Sequence, residues 1–281
     1  MSAPPLGLLL DVDGPVSSPL TRTVAPQLLD DLRRLLTAGI PVVLNTGRSE
    51  AFVRERILEP LAGRLPGPAR LHAVCEKGGV WTSAATADVH VDPALAVPAI
   101  CHEAVADLVA DGFGDAMFVD RTKRTMATVE ARTDVPPSFY LDRQRAFDAA
   151  LLARLTTAGL GIRLRDERHP AADGGTPWRI DPSVIATDVE SEHAGKALGA
   201  RRALDLLRDD GPLPRAWHTV GDSRSDYAMA DQLHELGADV THVDVGPLPP
   251  LHRPYPVRTV PGLTDEAAGA AHLHELVAQL D

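Results

Sequence analysis

Short, uninterrupted apolar runs alternate with longer stretches of helical periodicity in the first part of the chain. The apolar runs at 6–12 and 40–47 predict buried strands, and a third strand is predicted within 69–82. Apolar residues at helical spacing predict helices at 25–39 and 49–62. Alternating strands and helices of this size indicate a parallel sheet covered by helices.

The pattern changes in the middle of the chain. Amphipathic helices are predicted at 97–112 and 140–160. Strand-like segments lie between and after these helices, at 116–133, 161–167 and 176–182. Helices accompanied by paired strands indicate a small α+β unit that is inserted into the first fold.

The alternating pattern then resumes. It predicts a helix at 193–211, a strand at 216–222, a helix at 225–237, a strand at 238–246 and a final helix within 263–281. We therefore predict an α/β protein with a Rossmann-like parallel sheet core that is interrupted by an α+β cap domain. The predicted core covers residues 1–90 and 188–281, and the predicted cap covers residues 91–187.

Composition excludes several classes of protein. The chain has 281 residues, of which 44% are hydrophobic and 24% are charged, as is typical of globular proteins. A net charge of −11 argues against nucleic acid as the main partner. No apolar window is long enough to cross a bilayer, and the N-terminus lacks the basic region of a signal peptide. We therefore expect a cytoplasmic protein without a membrane partner, and its two cysteines are expected to be small buried side chains.

Four polar clusters lie at the ends of predicted strands or at the start of a helix. They are DVDG (11–14), NTGR (45–48), GK (195–196) and GDSRSD (221–226). In an open α/β sheet, ligands bind outside the carboxyl ends of the strands. Each cluster alone is typical of an ordinary turn or helix cap, so the interest lies in their combination.

Together the clusters combine carboxylates with one hydroxyl and one ammonium group. The carboxylates are Asp11, Asp13, Asp222 and Asp226, the hydroxyl is Thr46, and the ammonium is Lys196. Converging acids repel one another unless a cation compensates them, and a small set of oxygen ligands suits Mg²⁺. A hydroxyl, backbone amides at helix starts and one lysine suit the remaining oxygens of a phosphate group.

In this order the clusters resemble the four hallmark motifs of the haloacid dehalogenase superfamily of phosphotransferases. The matching segments are LLLDVDGPV (8–16), LNTGR (44–48), Lys196 within HAGKAL, and VGDSRSDYAMA (220–230). The insertion between the second and third motifs resembles the branch with a large α/β cap, which includes many sugar-phosphate phosphatases. The segment CEKGGVW (75–81) is similar to the glutamate-rich glycine turn that precedes the cap in that branch.

The resemblance implies a role for each matching residue. Asp11 would be the nucleophile that attacks phosphorus and forms an aspartyl-phosphate. Asp13 would be the general acid for the leaving alcohol and then the general base for the hydrolytic water. Thr46 and Lys196 would hold the transferring phosphoryl group, and Lys196 would also shield the charge on Asp11.

The resemblance also implies a metal site and a substrate site. Asp11, Asp222 and the backbone carbonyl of Asp13 would ligate Mg²⁺, and Asp226 would ligate the ion or orient its waters. The residues expected to bind substrate are Gly14, Asn45, Gly47, Arg48, Glu76 and Lys77. The sequence departs from the usual first motif at Pro15, where threonine or valine is common.

The resulting hypothesis is a Mg²⁺-dependent phosphatase that hydrolyses a small phosphorylated metabolite, with a sugar or polyol phosphate as the expected substrate. Asp13 favours phosphate-ester chemistry, because phosphatases and mutases of the superfamily carry aspartate at this position. A phosphomutase with the same chemistry stays open as an alternative. So does a non-enzymatic phospho-acceptor similar to a response-regulator receiver domain, although the chain length, the insertion and the position of Asp13 argue against it.

Overall fold

A computed structural model describes residues 4–65, 69–86 and 88–280. The chain divides into two compact units. The core unit comprises Met1–His90 and Gly195–Asp281, and the inserted unit comprises Val91–Ala194. Each unit has its own sheet and its own hydrophobic core.

The core unit contains an eight-stranded sheet in the order β14-β13-β12-β1-β2-β3-β4-β5. Its strands are β1 (Leu6–Leu10), β2 (Val42–Asn45), β3 (Leu71–Cys75), β4 (Val80–Ser83), β5 (Val89–Val91), β12 (Ala216–Gly221), β13 (Asp239–Asp244) and β14 (Val257–Arg258). The strands from β14 to β3 pair in parallel, whereas β3 and β4 form an antiparallel pair. The central strand β1 lies between β12 and β2.

Helices cover both faces of this sheet because successive side chains of a strand point to opposite sides. The helices of the core unit are α1 (Pro26–Thr37), α2 (Glu50–Val53), α3 (Glu59–Ala62), α6 (Lys196–Asp210), α7 (Tyr227–Glu235) and α8 (Asp265–Ala278), and a π-helical segment (Arg54–Leu58) joins α2 to α3. Leu8 and Leu10 of β1 belong to the hydrophobic cluster that includes residues of α1 and α8, and Leu9 belongs to the cluster that includes residues of α6 and α7. The predicted α/β class with a parallel sheet is therefore confirmed.

The inserted unit is a two-layer α+β structure. Its six-stranded sheet has the order β6-β7-β11-β10-β8-β9, and helices α4 and α5 pack on one face. The elements are α4 (Ala99–Leu108), β6 (Met117–Asp120), β7 (Ala127–Ala131), α5 (Pro137–Thr157), β8 (Ile162–Leu164), β9 (Glu167–His169), β10 (Trp178–Pro182) and β11 (Ala186–Ser191). The pairs are antiparallel except for β8 with β10.

The second boundary of the insertion differs from the predicted one. The expected change at residue 187 falls inside β11, which pairs with β7 and β10 in the sheet of the inserted unit. The boundary therefore lies between Ala194 and Gly195. β11 (ATDVES) carries apolar side chains only at Ala186 and Val189, so it lacks the apolar run from which the core strands are predicted, and the sequence pattern does not detect it as a strand.

Among the described residues, no helix is both long enough and apolar enough to cross a membrane. Cys75 and Cys101 are both buried and form no disulfide, in agreement with the predicted packing role.

A histidine pair, in which His272 is buried and His218 is half-buried, links the sheet of the core unit to its last helix. Nδ1 of His218 in β12 lies 3.2 Å from Nε2 of His272 in α8. Burial, with smaller contributions from His218 and Arg258, lowers the pKa of His272 to about 4. Burial also lowers the pKa of His218. Both imidazoles are therefore neutral in the folded protein at neutral pH.

We expect this pair to make the protein acid-sensitive. An unfolded histidine has a pKa of about 6.5, so between that pH and about 4 the unfolded chain binds more protons than the folded one. The free energy of unfolding should therefore fall as the pH is lowered through this window, by about 3 kcal/mol for His272. Urea unfolding of the wild type and His272→Gln at a series of pH values measures the difference. Parallel pH profiles for the two proteins would contradict the expectation.

Candidate active site

Two of the predicted aspartates lie at the same edge of the core sheet. Asp11 directly follows β1, and Asp222 directly follows β12. These strands are parallel neighbours in which Leu10 is paired with Val220, so their carboxyl ends lie side by side. The polar edge that the alternating pattern predicts is therefore formed by adjacent strands at the centre of the sheet.

The ammonium group of Lys196 lies between two buried carboxylates. Its Nζ is 2.6 Å from Oδ1 of Asp11 and 2.8 Å from Oδ1 of Asp226. It also donates a hydrogen bond to the backbone carbonyl of Asn45, at 2.8 Å. Lys196 is the first residue of α6, and the start of this helix brings its side chain to the ends of β1 and β12.

The carboxylates and the ammonium shift one another's titration. Burial raises the pKa of Asp11 well above its usual value; the Lys196 ammonium opposes this shift, and the charges of Asp226 and Asp222 add to it. Burial, followed by the charge of Asp226, raises the pKa of Asp222 to about 7. Burial alone would lower the pKa of Lys196, but the carboxylates of Asp11 and Asp226 raise it, so the lysine is charged.

Three aspartates of the site could hold a metal ion. Asp11, Asp222 and Asp226 each place a carboxylate oxygen so that the three oxygens lie within 4.8 Å of one another. This set consists of oxygen ligands only, which suits Mg²⁺ rather than zinc. One ammonium cannot balance three converging carboxylates, so a divalent cation fits the charge of the site.

Asp226 is held by a residue that the sequence analysis did not single out. Oδ2 of Asp226 accepts hydrogen bonds from the backbone N–H of Ser223 at 2.9 Å and from its hydroxyl at 2.7 Å. Burial alone would raise the pKa of Asp226, but the Lys196 ammonium and the Ser223 hydrogen bonds keep it below its usual value. The spacing Ser-x-x-Asp at 223–226 is a capping-box signature, and this signal could have identified Ser223.

Asp13 and Arg48 form a two-pronged ion pair. Nε of Arg48 donates to both carboxylate oxygens of Asp13, at 3.0 and 2.8 Å, and Nη2 donates to Oδ1 at 2.8 Å. Arg48 is only 4% exposed, whereas the side chain of Asp13 is 23% exposed. The guanidinium of Arg48 therefore holds the second aspartate of the first motif, and binding of substrate by Arg48 stays a prediction.

The turn after Asp13 is packed against two other parts of the core unit. Gly14 has a φ of +85°, and a Cβ there would lie 2.5 Å from Cγ of Asp222. Its N–H donates to the carbonyl of Ser17 at 3.0 Å, which is a contact within the turn, and binding of substrate by Gly14 stays a prediction. Pro15 lies against α8, where a Cβ on Gly269 would be 1.9 Å from the Pro15 carbonyl oxygen.

The second motif begins at the end of β2, and its Asn45 and Thr46 are fully buried. Asn45 and Thr46 are both 0% exposed. The Thr46 hydroxyl accepts the N–H of Arg48 at 3.0 Å, and its own hydrogen is left to donate. The side chain of Asn45 donates to the backbone carbonyl of Lys196 at 2.9 Å, so its amide nitrogen has a partner within the protein, and binding of substrate by Asn45 stays a prediction.

The turn after β3 lies next to the second motif. Glu76 and Lys77 both have left-handed backbone conformations, with φ of +49° and +52°, which are uncommon for residues other than glycine. Glu76 is 0% exposed, and binding of substrate by Glu76 stays a prediction. Lys77 is half-buried, and a Cβ on Gly47 would lie 3.6 Å from its Cε. Gly47 and Lys77 therefore stay candidates for substrate binding.

Comparison with known sequences gives a limited result. No family model matches the chain. A curated AAA ATPase from Corynebacterium jeikeium, described as forming ring-shaped complexes, is 26% identical over 190 residues, which is 63% of this chain and 34% of that protein. The chain thus spans about a third of the length of that relative. The sequence of the present chain contains one Gly-Lys pair, Gly195-Lys196. This pair is followed by alanine, so the chain lacks the P-loop pattern of nucleotide-binding ATPases.

Comparison with solved structures is more informative about the fold. The C-terminal domain of Candida albicans trehalose-6-phosphate phosphatase matches 98% of this chain and 93% of its own, with a TM-score of 0.66 and 14% identity. Sucrose-phosphatase from Synechocystis matches 99% of both chains, with a TM-score of 0.52 and 13% identity. A haloacid dehalogenase-like hydrolase from Bacteroides thetaiotaomicron matches 98% of this chain and all of its own, with a TM-score of 0.56 and 12% identity. The chain therefore has the haloacid dehalogenase-like fold.

Proposed function

We propose that this protein is a Mg²⁺-dependent phosphatase that acts on a small phosphorylated metabolite. The observation that carries the proposal is the position of the Lys196 ammonium, within hydrogen-bond distance of both Asp11, which directly follows β1, and Asp226, which lies in the turn after β12. A buried lysine beside a nucleophile and a cluster of oxygen ligands is suited to a group that bears several negative oxygens.

In the proposed reaction, Asp11 attacks phosphorus and an aspartyl-phosphate forms on its carboxylate. The Lys196 ammonium and the Thr46 hydroxyl hold the phosphoryl oxygens and balance their charge. A water molecule then releases phosphate from Asp11. Asp11, Asp222 and Asp226, together with the backbone carbonyl of Asp13, would hold Mg²⁺, which would supply charge stabilisation to the phosphoryl group.

Asp13 transfers protons in this proposal. It protonates the leaving alcohol in the first step and accepts a proton from water in the second. The Arg48 guanidinium contacts both oxygens of Asp13 and so holds the carboxylate in place. Oδ2 accepts one hydrogen bond from Arg48, which leaves it a second lone pair to carry the transferred proton.

The proposed substrate class is a sugar or polyol phosphate, and the proposed location is the cytoplasm. Two of the solved structures with the same fold are described as a trehalose-6-phosphate phosphatase and a sucrose-phosphatase in complex with sucrose and phosphate. These descriptions support a phosphorylated carbohydrate as the proposed substrate class.

The test is a panel of phosphate esters assayed for release of inorganic phosphate. The panel contains sugar and polyol phosphates, nucleoside monophosphates, phosphoserine and p-nitrophenyl phosphate. We expect release from one or more sugar or polyol phosphates in the presence of Mg²⁺, loss of release after addition of EDTA, and recovery when Mg²⁺ is restored. Absence of hydrolysis across the panel, or equal rates with EDTA, would overturn the proposal. Formation of an isomeric sugar phosphate without free phosphate would instead identify a phosphomutase.

A further inference from the structure

Asn45 and Lys196 are joined by two hydrogen bonds, in each of which the side chain of one residue donates to the backbone carbonyl of the other. Asn45 is the last residue of β2 and Lys196 is the first residue of α6, 151 positions along the chain. Nζ of Lys196 donates to the backbone carbonyl of Asn45 at 2.8 Å, and Nδ2 of Asn45 donates to the backbone carbonyl of Lys196 at 2.9 Å. The two residues are 0% and 7% exposed, so water does not compete for these bonds.

A glycine allows this close approach of α6 to β2. A Cβ on Gly199 would lie 1.9 Å from Oδ1 and 2.5 Å from Cγ of Asn45, which is closer than real contacts allow. The Asn45 amide therefore fills the space left by the missing side chain at Gly199. The distance between the first turn of α6 and the end of β2 is set by this pair.

The turn after β3 ties the same two segments together a second time. The backbone N–H of Lys77 donates to the carbonyl of Thr46 at 2.9 Å, and the N–H of Gly195 donates to the carbonyl of Lys77 at 2.7 Å. In the left-handed conformation of Lys77, its N–H bonds to Thr46 and its carbonyl accepts the N–H of Gly195. Four hydrogen bonds thus join residues 45–46 to residues 195–196, directly or through Lys77.

We propose that Asn45 is a positioning residue, which acts on the reaction through Lys196 and does not touch the substrate. Its amide fixes the backbone at the start of α6, and this keeps the Lys196 ammonium between Asp11 and Asp226. A lysine side chain has four rotatable bonds, so the position of its Nζ depends on an anchored backbone and on a fixed acceptor for the hydrogen bond that Nζ donates. This inference rests on the proposed function, which gives Lys196 the task of holding the phosphoryl group.

The first test is Asn45→Ala, measured by steady-state kinetics on a substrate found in the ester panel. Misplacement of a catalytic group by about 1 Å can cost about 100-fold in rate, so we expect kcat to fall by about 100-fold, with a smaller change in KM. The matched control is Arg70→Ala, which removes contacts at the other end of α6. Arg70 directly precedes β3 and donates to the carbonyls of Leu207 in α6 and Pro212 just beyond it, at 2.6 and 2.9 Å. It should lower Tm while kcat stays within about twofold.

The second test separates positioning from packing. Gly199→Ala alone should lower Tm, because the new methyl group overlaps the Asn45 amide. In Asn45→Ala combined with Gly199→Ala, the methyl group occupies the space of the amide and Tm should recover, while kcat stays about 100-fold low. Wild-type kcat in the double variant would overturn the proposal, as would an Arg70→Ala loss of kcat equal to that of Asn45→Ala.

A structural readout keeps this inference separate from the proposed function. In a crystal structure of Asn45→Ala, we expect Nζ of Lys196 to lie farther from Oδ1 of Asp11 than the 2.6 Å of the wild type. An unchanged position of Nζ would overturn the positioning role. If the wild type hydrolyses no ester, the proposed function fails, and the crystal structure still decides whether Asn45 positions Lys196.

Discussion

Asp11→Asn is expected to reduce phosphate release by about 10⁴-fold or more. The amide cannot attack phosphorus, so no aspartyl-phosphate can form. The substitution also removes the negative charge that lies 2.6 Å from the Lys196 ammonium, while the size and shape of the side chain are retained. Single-turnover kinetics on the best ester of the panel, with acid quenching to trap phosphorylated protein, measures both the rate and the intermediate.

A second buried aspartate of the core unit provides the control. Asp31 in α1 is 1% exposed, and its carboxylate contacts Gln27 and His274, at 3.3 Å each, neither of which belongs to the four motif clusters. Asp31→Asn should keep kcat within about twofold, because it removes a structural contact only. More than a tenth of wild-type activity in Asp11→Asn would contradict the assignment of Asp11 as nucleophile.

Lys196→Met is expected to impair both stability and activity. Removal of the ammonium leaves Asp11 and Asp226 buried without their counter-charge, and loss of one partner of a buried ion pair costs about 3–5 kcal/mol. Loss of a group that stabilises charge in the transition state lowers kcat by about 10²- to 10³-fold. Urea unfolding with and without Mg²⁺ measures the stability, and we expect the added cation to restore part of it.

The double variant Lys196→Met with Asp226→Asn separates the two effects. It removes one charge of each sign, so most of the lost free energy of unfolding should return. Activity should stay low, because the phosphoryl group still lacks its ammonium. Equal instability of the single and double variants would show that the Lys196–Asp226 contact contributes little. Full activity in either variant would contradict the role of Lys196.

Sequence periodicity predicts the location of the site well, for a physical reason. The alternation of strands and helices places Asp11 and Asp222 after neighbouring parallel strands, and parallel strands end at one edge. The acidic character of the cluster also follows from sequence, because Asp11, Asp222 and Asp226 all lie in the motif segments and the structure brings their carboxylate oxygens within 4.8 Å of one another. With one lysine the cluster keeps a net negative charge, which a cation would offset.

The partners of individual side chains could not be predicted in the same way. Arg48, Asn45 and Glu76 lie in motif segments, yet the first two turn toward other protein groups and the third is fully buried. Asn45 meets Lys196 across 151 positions, and only the packing of α6 against β2 determines that contact. The sequence near Asn45 does not predict this contact, because the residue that makes room for the Asn45 amide is Gly199 in α6.

The two strands that pair with β1, which are β2 and β12, are synthesised at very different times. β2 follows β1 closely, but β12 is made only after the whole inserted unit has been translated. A ribosome-bound chain that ends at residue 194 contains Asp11 and Thr46, while Lys196 and Asp222 do not yet exist. One edge of β1 lacks its strand partner throughout this interval, and unpaired strand edges are templates for association between chains. The insertion therefore lengthens the period in which the nascent protein needs protection from aggregation.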